Sequence, residues 1–212
     1  MCRLLYIKSE NKFELKKYLE KFALVAKNSK EFQGHGWGCA YFVYGKWNHY
    51  KNINPIWEDD FSRFGKTTRL IAHARSAFRD KDIFVENNMP FYDDRYIFIF
   101  NGELSGVRIK EEGRIGAERI FNFIKRFDKG NLIDALKRGT DSIKKLSQYI
   151  RAMNIIIADK NGAAVYSHFN EDIDYFTMQY KIENGTTIIC SEKFPGEDNW
   201  IPIENNSLRY FE

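Results

Sequence analysis

The sequence predicts an α+β fold with sheets packed between helical layers, on three observations. Strand-like runs open the chain, two helical segments fill its middle third and strand-like runs close it. The apolar runs in TRLIAHARS, RYIFIF and MNIIIA are too continuous for sheets with one face in water. Of 212 residues, 43% are hydrophobic and 16% aromatic, enough for one well-filled core, so a single domain over 1–212 is expected.

The elements follow in order. CRLLYIK reads as a first strand. NKFELKKYLEKFALVAKN reads as a helix, with Asn11 and Glu14 spaced as an N-cap and its return partner, and with Phe13, Tyr18, Phe22 and Val25 on one face. GWGCAYFVYGKWNHYKN is two strands around Gly45, and EDDFSRF a short helix. TRLIAHARS is a strand ending in charge; RYIFIFNGELSG is another, ending at Asn101-Gly102; a polar loop with Pro90 lies between them.

AERIFNFIKRF gathers Ile120, Phe123, Ile124 and Phe127 on one helical face. NLIDALKRGTDSIKKLSQYI does the same with Leu132, Leu136, Ile143 and Leu146, and Gly139 is placed to bend it. MNIIIADKNGAAVYSHF predicts a hairpin on Asn161-Gly162. DYFTMQYKI, TTIICSE and SLRYFE supply the last strands, and the chain holds no internal repeat, low-complexity tract or linker.

The net charge is +4, but the basic and acidic residues alternate, which argues against nucleic acid as a partner. No apolar stretch is long enough to span a membrane and MCRLLYIKSENK lacks the parts of a secretory leader, so a cytoplasmic protein without membrane contact is expected. Cys2, Cys39 and Cys190 are odd in number and widely spaced, as free thiols of a reducing compartment would be. His35, His49, His73 and His168 show no metal-ligand spacing, and QGHGWGC is neither a phosphate loop nor a dinucleotide fingerprint, so no metal or cofactor is expected. His73, inside an apolar strand, reads as a buried, hydrogen-bonded core residue.

Three positions carry chemistry. Cys2 follows the first methionine directly, so removal of Met1 leaves a thiol and a free α-amine on adjacent atoms, with ordinary pKa values of about 8.5 and about 7.7–8.0. The amine then takes the thiol proton and passes it to a leaving amine; the plainer alternative is a small hydrophobe at a strand start. Arg75 ends an apolar strand and offers a fork of donors to a carboxylate, or else points into solvent. Asn101-Gly102 is either a hairpin turn or a pair of donors, side-chain amide and backbone N–H, for an oxyanion.

In joint order, Cys2, GWGCAYF, AHARSAF, NNMPF, FNGEL and the late CSEKF resemble the class II glutamine amidotransferase domain of the N-terminal nucleophile hydrolases, over nearly the whole chain. The small stand-alone proteins resembling the amidotransferase subunit of glutathione degradation are the nearest likeness. The resemblance implies a four-layer αββα sandwich of two antiparallel sheets between helical layers. It also implies hydrolysis of the side-chain amide of glutamine, or of a related γ-glutamyl compound, through a thioester at Cys2 with release of ammonia. Cys2, Asn101 and Gly102 would be catalytic; Arg75, matching the residue that holds the substrate α-carboxylate, and Ser76 would bind substrate.

The pattern is departed from in several places. The aspartate that binds the substrate α-ammonium is replaced by Gly116, within Ile115, Gly116, Ala117 and Glu118, which leaves Glu103 or Glu118 as substitutes; Met89, Phe100, Phe78 and Arg79 occupy other expected His or Thr positions. A second reading is therefore a non-catalytic binding or regulatory module. No synthase domain fits beside the amidotransferase in 212 residues, so the enzyme reading admits an ammonia-accepting partner subunit, and equally a homo-oligomer.

Overall fold

The computed structural model describes every residue except Asp80. Its elements are β1 (Arg3–Glu14), α1 (Leu15–Lys27), β2 (Trp37–Val43), β3 (Lys46–Asn52), β4 (Lys66–Ala74), β5 (Phe91–Tyr92), β6 (Ile97–Ser105), α2 (Gly116–Lys125) and α3 (Leu132–Leu146). They continue with β7 (Tyr149–Ala158), β8 (Ala163–Ser167), α4 (Ile173–Phe176), β9 (Gln179–Glu183), β10 (Thr186–Cys190), β11 (Ile201–Pro202) and β12 (Ser207–Phe211). Two antiparallel sheets result, one in the order β11-β9-β10-β1-β4-β2-β3 and one in the order β12-β8-β7-β6-β5.

Strand periodicity sorts the side chains into layers. Leu5 and Ile7 of β1, with Leu70, Ala72 and Ala74 of β4, pack with Leu15, Leu19 and Phe22 of α1. Leu4, Tyr6 and Ile71, pointing the other way, join a second core with residues of β6, β7 and β8. On the far side of that second sheet, Phe98 stacks on Phe121 of α2 at 5.0 Å, and Ile120, Ile124, Leu136 and Ile143 complete the packing. The order is α1, first sheet, second sheet, then α2 with α3. The α+β class and its antiparallel sheets are as expected.

Local chemistry explains several boundaries. Tyr44 and Gly45 both take positive φ (52° and 80°), the geometry of a two-residue hairpin turn, between β2 and β3. At the β7–β8 hairpin the Asp159 carboxylate accepts from the N–H groups of Asn161 and Gly162 at 2.7 and 2.9 Å.

Other boundaries correct the sequence reading. Asn11 is no helix cap: β1 runs on to Glu14, bulging between Lys8 and Phe13, because Phe13 and Glu14 resume pairing with Thr67 and Lys66. The first N–H of α1 bonds the Gly65 carbonyl in place of a side-chain cap. In place of a helix over EDDFSRF there is a 3-10 turn at Phe61–Arg63, capped by Asp60 through the N–H of Ser62, and Glu58 ends an earlier one at Ile56–Glu58. DYFTMQYKI begins as the short helix α4, which docks Tyr175 and Phe176 on Ala152 and Phe169. β6 passes straight through Asn101-Gly102, pairing them with Asn154 and Met153, because the long β7 supplies partners on both sides of the dipeptide. Nor does Gly139 interrupt α3; it allows close approach to α2, where a Cβ would lie 2.8 Å from Cγ1 of Ile124. Among the described residues, no helix is long and apolar enough to cross a membrane.

Candidate active site

β1 is an interior strand, paired to β4 on one side and β10 on the other, and Cys2 stands at its head. By the alternation along β1, Cys2 shares the inter-sheet face with Leu4 and Tyr6. Its Sγ lies 3.5 Å from the donating N–H of Ser76 and 3.6 Å from the Ser76 carbonyl. The main chain of Ser76 thus brackets the sulfur. Burial pushes the thiol pKa up, while the terminal ammonium, the Ser76 N–H and Arg75 pull it back in part. The thiol is therefore not matched to the α-amine in the way the ordinary values imply.

Arg75 follows directly on β4 and does not point into solvent; it is 5% exposed. Its guanidinium donates to the carbonyls of Asp82 (2.9 Å) and Phe84 (3.4 Å) and to Oδ1 of Asn88 (3.3 Å). The segment 82–88 is thereby wrapped around the cation, and Asn88, which sequence reasoning passed over, also donates to the Asn52 carbonyl at 2.8 Å.

Asn101 faces the first sheet, since Phe98 and Phe100 take the opposite, helix-covered face of β6. It is fully buried, and neither its Nδ2 nor its Oδ1 makes a hydrogen bond. Its cross-strand neighbour Asn154 is satisfied, donating to the Phe176 carbonyl at 2.7 Å and accepting from Ser167 Oγ at 3.1 Å. Gly102 is required by close approach, since a Cβ there would lie 2.2 Å from the Ala152 carbonyl oxygen.

His73 lies on the same inner face as Ile71 and is fully buried. The burial is as expected, but neither ring nitrogen makes a hydrogen bond of normal geometry; the nearest partner is the Phe100 carbonyl. Burial first, and the Arg75 cation second, push its pKa down to about 3, with the nearby Phe100 carbonyl opposing weakly. His73 is neutral throughout the physiological range.

A group the sequence did not reveal surrounds the start of the chain. The Met1 ammonium pairs with Glu31, and the Met1 carbonyl accepts from Nε2 of Gln33 (2.5 Å) and the Tyr175 hydroxyl (2.6 Å). Arg151 lies 3.4 Å from both Glu31 and Glu103. Of the two carboxylates considered as replacements at Gly116, Glu103 is therefore tied to this cluster. Glu118 is held by Arg114 and lines a separate cavity of about 210 Å³ with Lys51, Phe91 and Lys125. The cluster spans residues 1 to 175, which only the folding of the chain brings together.

No family model and no curated protein matches the chain. Solved structures do. Glutamine phosphoribosylpyrophosphate amidotransferase from B. subtilis, complexed with ADP and GMP, superposes with a TM-score of 0.65 at 15% identity over 90% of this chain. The chain spans 42% of the length of that enzyme. A glutamine aminotransferase class-II domain protein from Silicibacter pomeroyi gives 0.63 at 14% identity, covering 99% of each chain. A glutamine amidotransferase, so designated by prediction, from Pseudomonas aeruginosa gives 0.59 at 14% identity, over 98% of this chain and 96% of that one. With the sheet order and layers described above, these superpositions show that the chain shares the fold of these glutamine amidotransferase structures.

Proposed function

We propose that the protein is an N-terminal-cysteine amidohydrolase that cleaves the side-chain amide of glutamine or a related γ-glutamyl compound and releases ammonia. The observation that carries this reading is the placing of Cys2 Sγ against the Ser76 N–H and within the field of Arg75, at the inter-sheet end of a central strand. With Met1 removed, the neutral α-amine of Cys2 accepts the thiol proton as sulfur attacks the amide carbon. The carbonyl oxygen becomes an oxyanion, to which the otherwise unengaged Asn101 Nδ2 and the Gly102 N–H are assigned as donors. The C–N bond breaks, the α-ammonium returns its proton to the departing nitrogen, and water hydrolyses the thioester to the carboxylate and free thiol. These steps draw only on the chain, the substrate and water.

Arg75 is assigned to the substrate α-carboxylate, which would take over from the carbonyls of Asp82 and Phe84. Ammonia then passes to a partner subunit or to solvent. The three free thiols suit a reducing, cytoplasmic setting. The present occupation of Arg75, together with Gly116 where the resembled pattern has an aspartate, favours the second reading, a binding module without turnover.

Intact-mass spectrometry after treatment with the diazo-ketone analogue of norleucine separates the two. The first reading expects a Met1-free chain carrying one adduct on Cys2, and ammonia release that Cys2→Ala abolishes. A folded protein that retains Met1 and takes no adduct is the outcome of the second.

A further inference from the structure

The seat of Met1 is a built site. Gln33 is fully buried and Tyr175 is 6% exposed, yet both direct polar atoms at the Met1 carbonyl. Oε1 of Gln33 has no hydrogen-bond partner, leaving one acceptor at the seat unused. The Met1 side chain packs against the group formed by Ala152, Phe169, Tyr175 and Phe176. The Met1 ammonium is itself a bound cation, held by Glu31. Around it, Glu31, Glu103, Glu171 and Asp172 contact Arg151, Lys30 joins Asp172, and Arg3, 4.0 Å from the Tyr175 ring, is paired with Glu192, so five carboxylates face three side-chain cations and the surroundings stay negative.

The position of this seat follows from covalent geometry. Its carbonyl carbon is bonded to the nitrogen of Cys2, the atom that protonates the departing amine in the reading above. A leaving nitrogen must come within hydrogen-bond reach of that atom, and the volume adjoining it is the one Met1 fills.

We propose, on the basis of that amidohydrolase reading, that the seat vacated by Met1 receives the leaving-group side of the substrate and selects γ-glutamyl amides whose leaving amine carries a second, positively charged amine. Glu31 takes the ammonium, as it does that of Met1. The Tyr175 hydroxyl and the unused Gln33 Oε1 accept N–H groups of the leaving moiety, while Gln33 Nε2 keeps its bonds to Ser29 Oγ and the Glu31 carbonyl. The chemistry is unchanged: the C–N bond breaks, the thioester forms on Cys2, and the proton from the Cys2 α-ammonium leaves on the departing nitrogen as a free diamine.

Binding tests this apart from turnover. Cys2→Ser protein, produced with residue 2 as its first residue, is titrated calorimetrically with the γ-glutamyl amide of ethane-1,2-diamine and with γ-glutamyl propylamide, its neutral counterpart. The cationic amide is expected to bind roughly tenfold tighter, the scale of one charge-assisted hydrogen bond. Glu31→Gln should erase that preference and Glu31→Asp should keep part of it. Equal affinities in the parent protein, or a preference that survives Glu31→Gln, overturns the proposal. Failure of the amidohydrolase reading shows separately, as absence of a Cys2 adduct in the Met1-free wild type.

Discussion

Asn101 is buried without a hydrogen bond and His73 with only a poorly aligned contact to the Phe100 carbonyl, and each has a measurable effect. A buried amide without a partner costs about 1–3 kcal/mol, so Asn101→Leu, of similar volume, is expected to leave urea stability unchanged or raise it by up to about that amount. In the proposed reaction the same change removes an oxyanion donor and lowers kcat by roughly 10²–10³. A variant that loses both stability and activity would mark Asn101 as structural. For His73 the folded pKa of about 3 lies below the ordinary 6.5, so the unfolded chain takes up a proton first as the pH falls. Stability should decline between pH 6.5 and about 3 by at most roughly 1.4 kcal/mol per unit, and His73→Leu should flatten that slope in urea titrations. Cys2 and Arg75 were legible because thiol and guanidinium are unusual at their strand ends. Glu31, Gln33 and Tyr175 were not, being ordinary polar residues that only the chain's topology brings to one place.

Among the elements, β6 shows most clearly where local pattern misleads. Asn-Gly favours a tight turn, but the ten-residue β7 pairs with β6 on both sides of the dipeptide, its register shifting only between Glu103 and Leu104, and the pairing outweighs the dipeptide's preference. Gly102 is needed there for contact with β7, so Gly102→Ala should lower stability by about 1–3 kcal/mol, read from the denaturant midpoint, in contrast to Asn101→Leu beside it. The turns after β3 depend on one carboxylate. Asp59 accepts from Trp37 Nε1 (2.9 Å), the Tyr50 hydroxyl (2.8 Å) and Asn52 Nδ2 (2.7 Å). Burial pushes its pKa up, but these donors and Arg63 more than offset that, so the carboxyl titrates below its usual 3.8. Its stabilisation is present above that pH and lost as the pH falls through the lowered value. Asp59→Ala, which strands three donors, is expected to cost about 3 kcal/mol in urea unfolding at neutral pH. The cap assigned to Asn11 failed for a related reason, since the β1–β4 ladder continues past it.

At the scale of the molecule, the two apolar cores share strands: β1 and β4 give one face to α1 and the other to the second sheet. Stacking of His49 on Tyr92, with ring centroids 3.5 Å apart, ties β3 of one sheet to β5 of the other. Shared strands predict one unfolding transition. Leu19→Ala under α1 and Leu136→Ala under α3 should each cost about 2–5 kcal/mol and move the tryptophan fluorescence and far-ultraviolet dichroism midpoints together. Separate midpoints would show that the layers melt independently. The layering was legible from element order and continuous apolar runs. The strand order was not, because pairs such as Leu5 with Cys190 join distant parts of the chain and leave no local trace.

The interior position of β1 bears on how the protein is handled at the bench. A segment fixed along both flanks cannot swing aside, so any sequence fused ahead of Met1 must exit past Glu31, Gln33 and Tyr175 and would act as a plug. A purification handle belongs instead on the exposed Glu212.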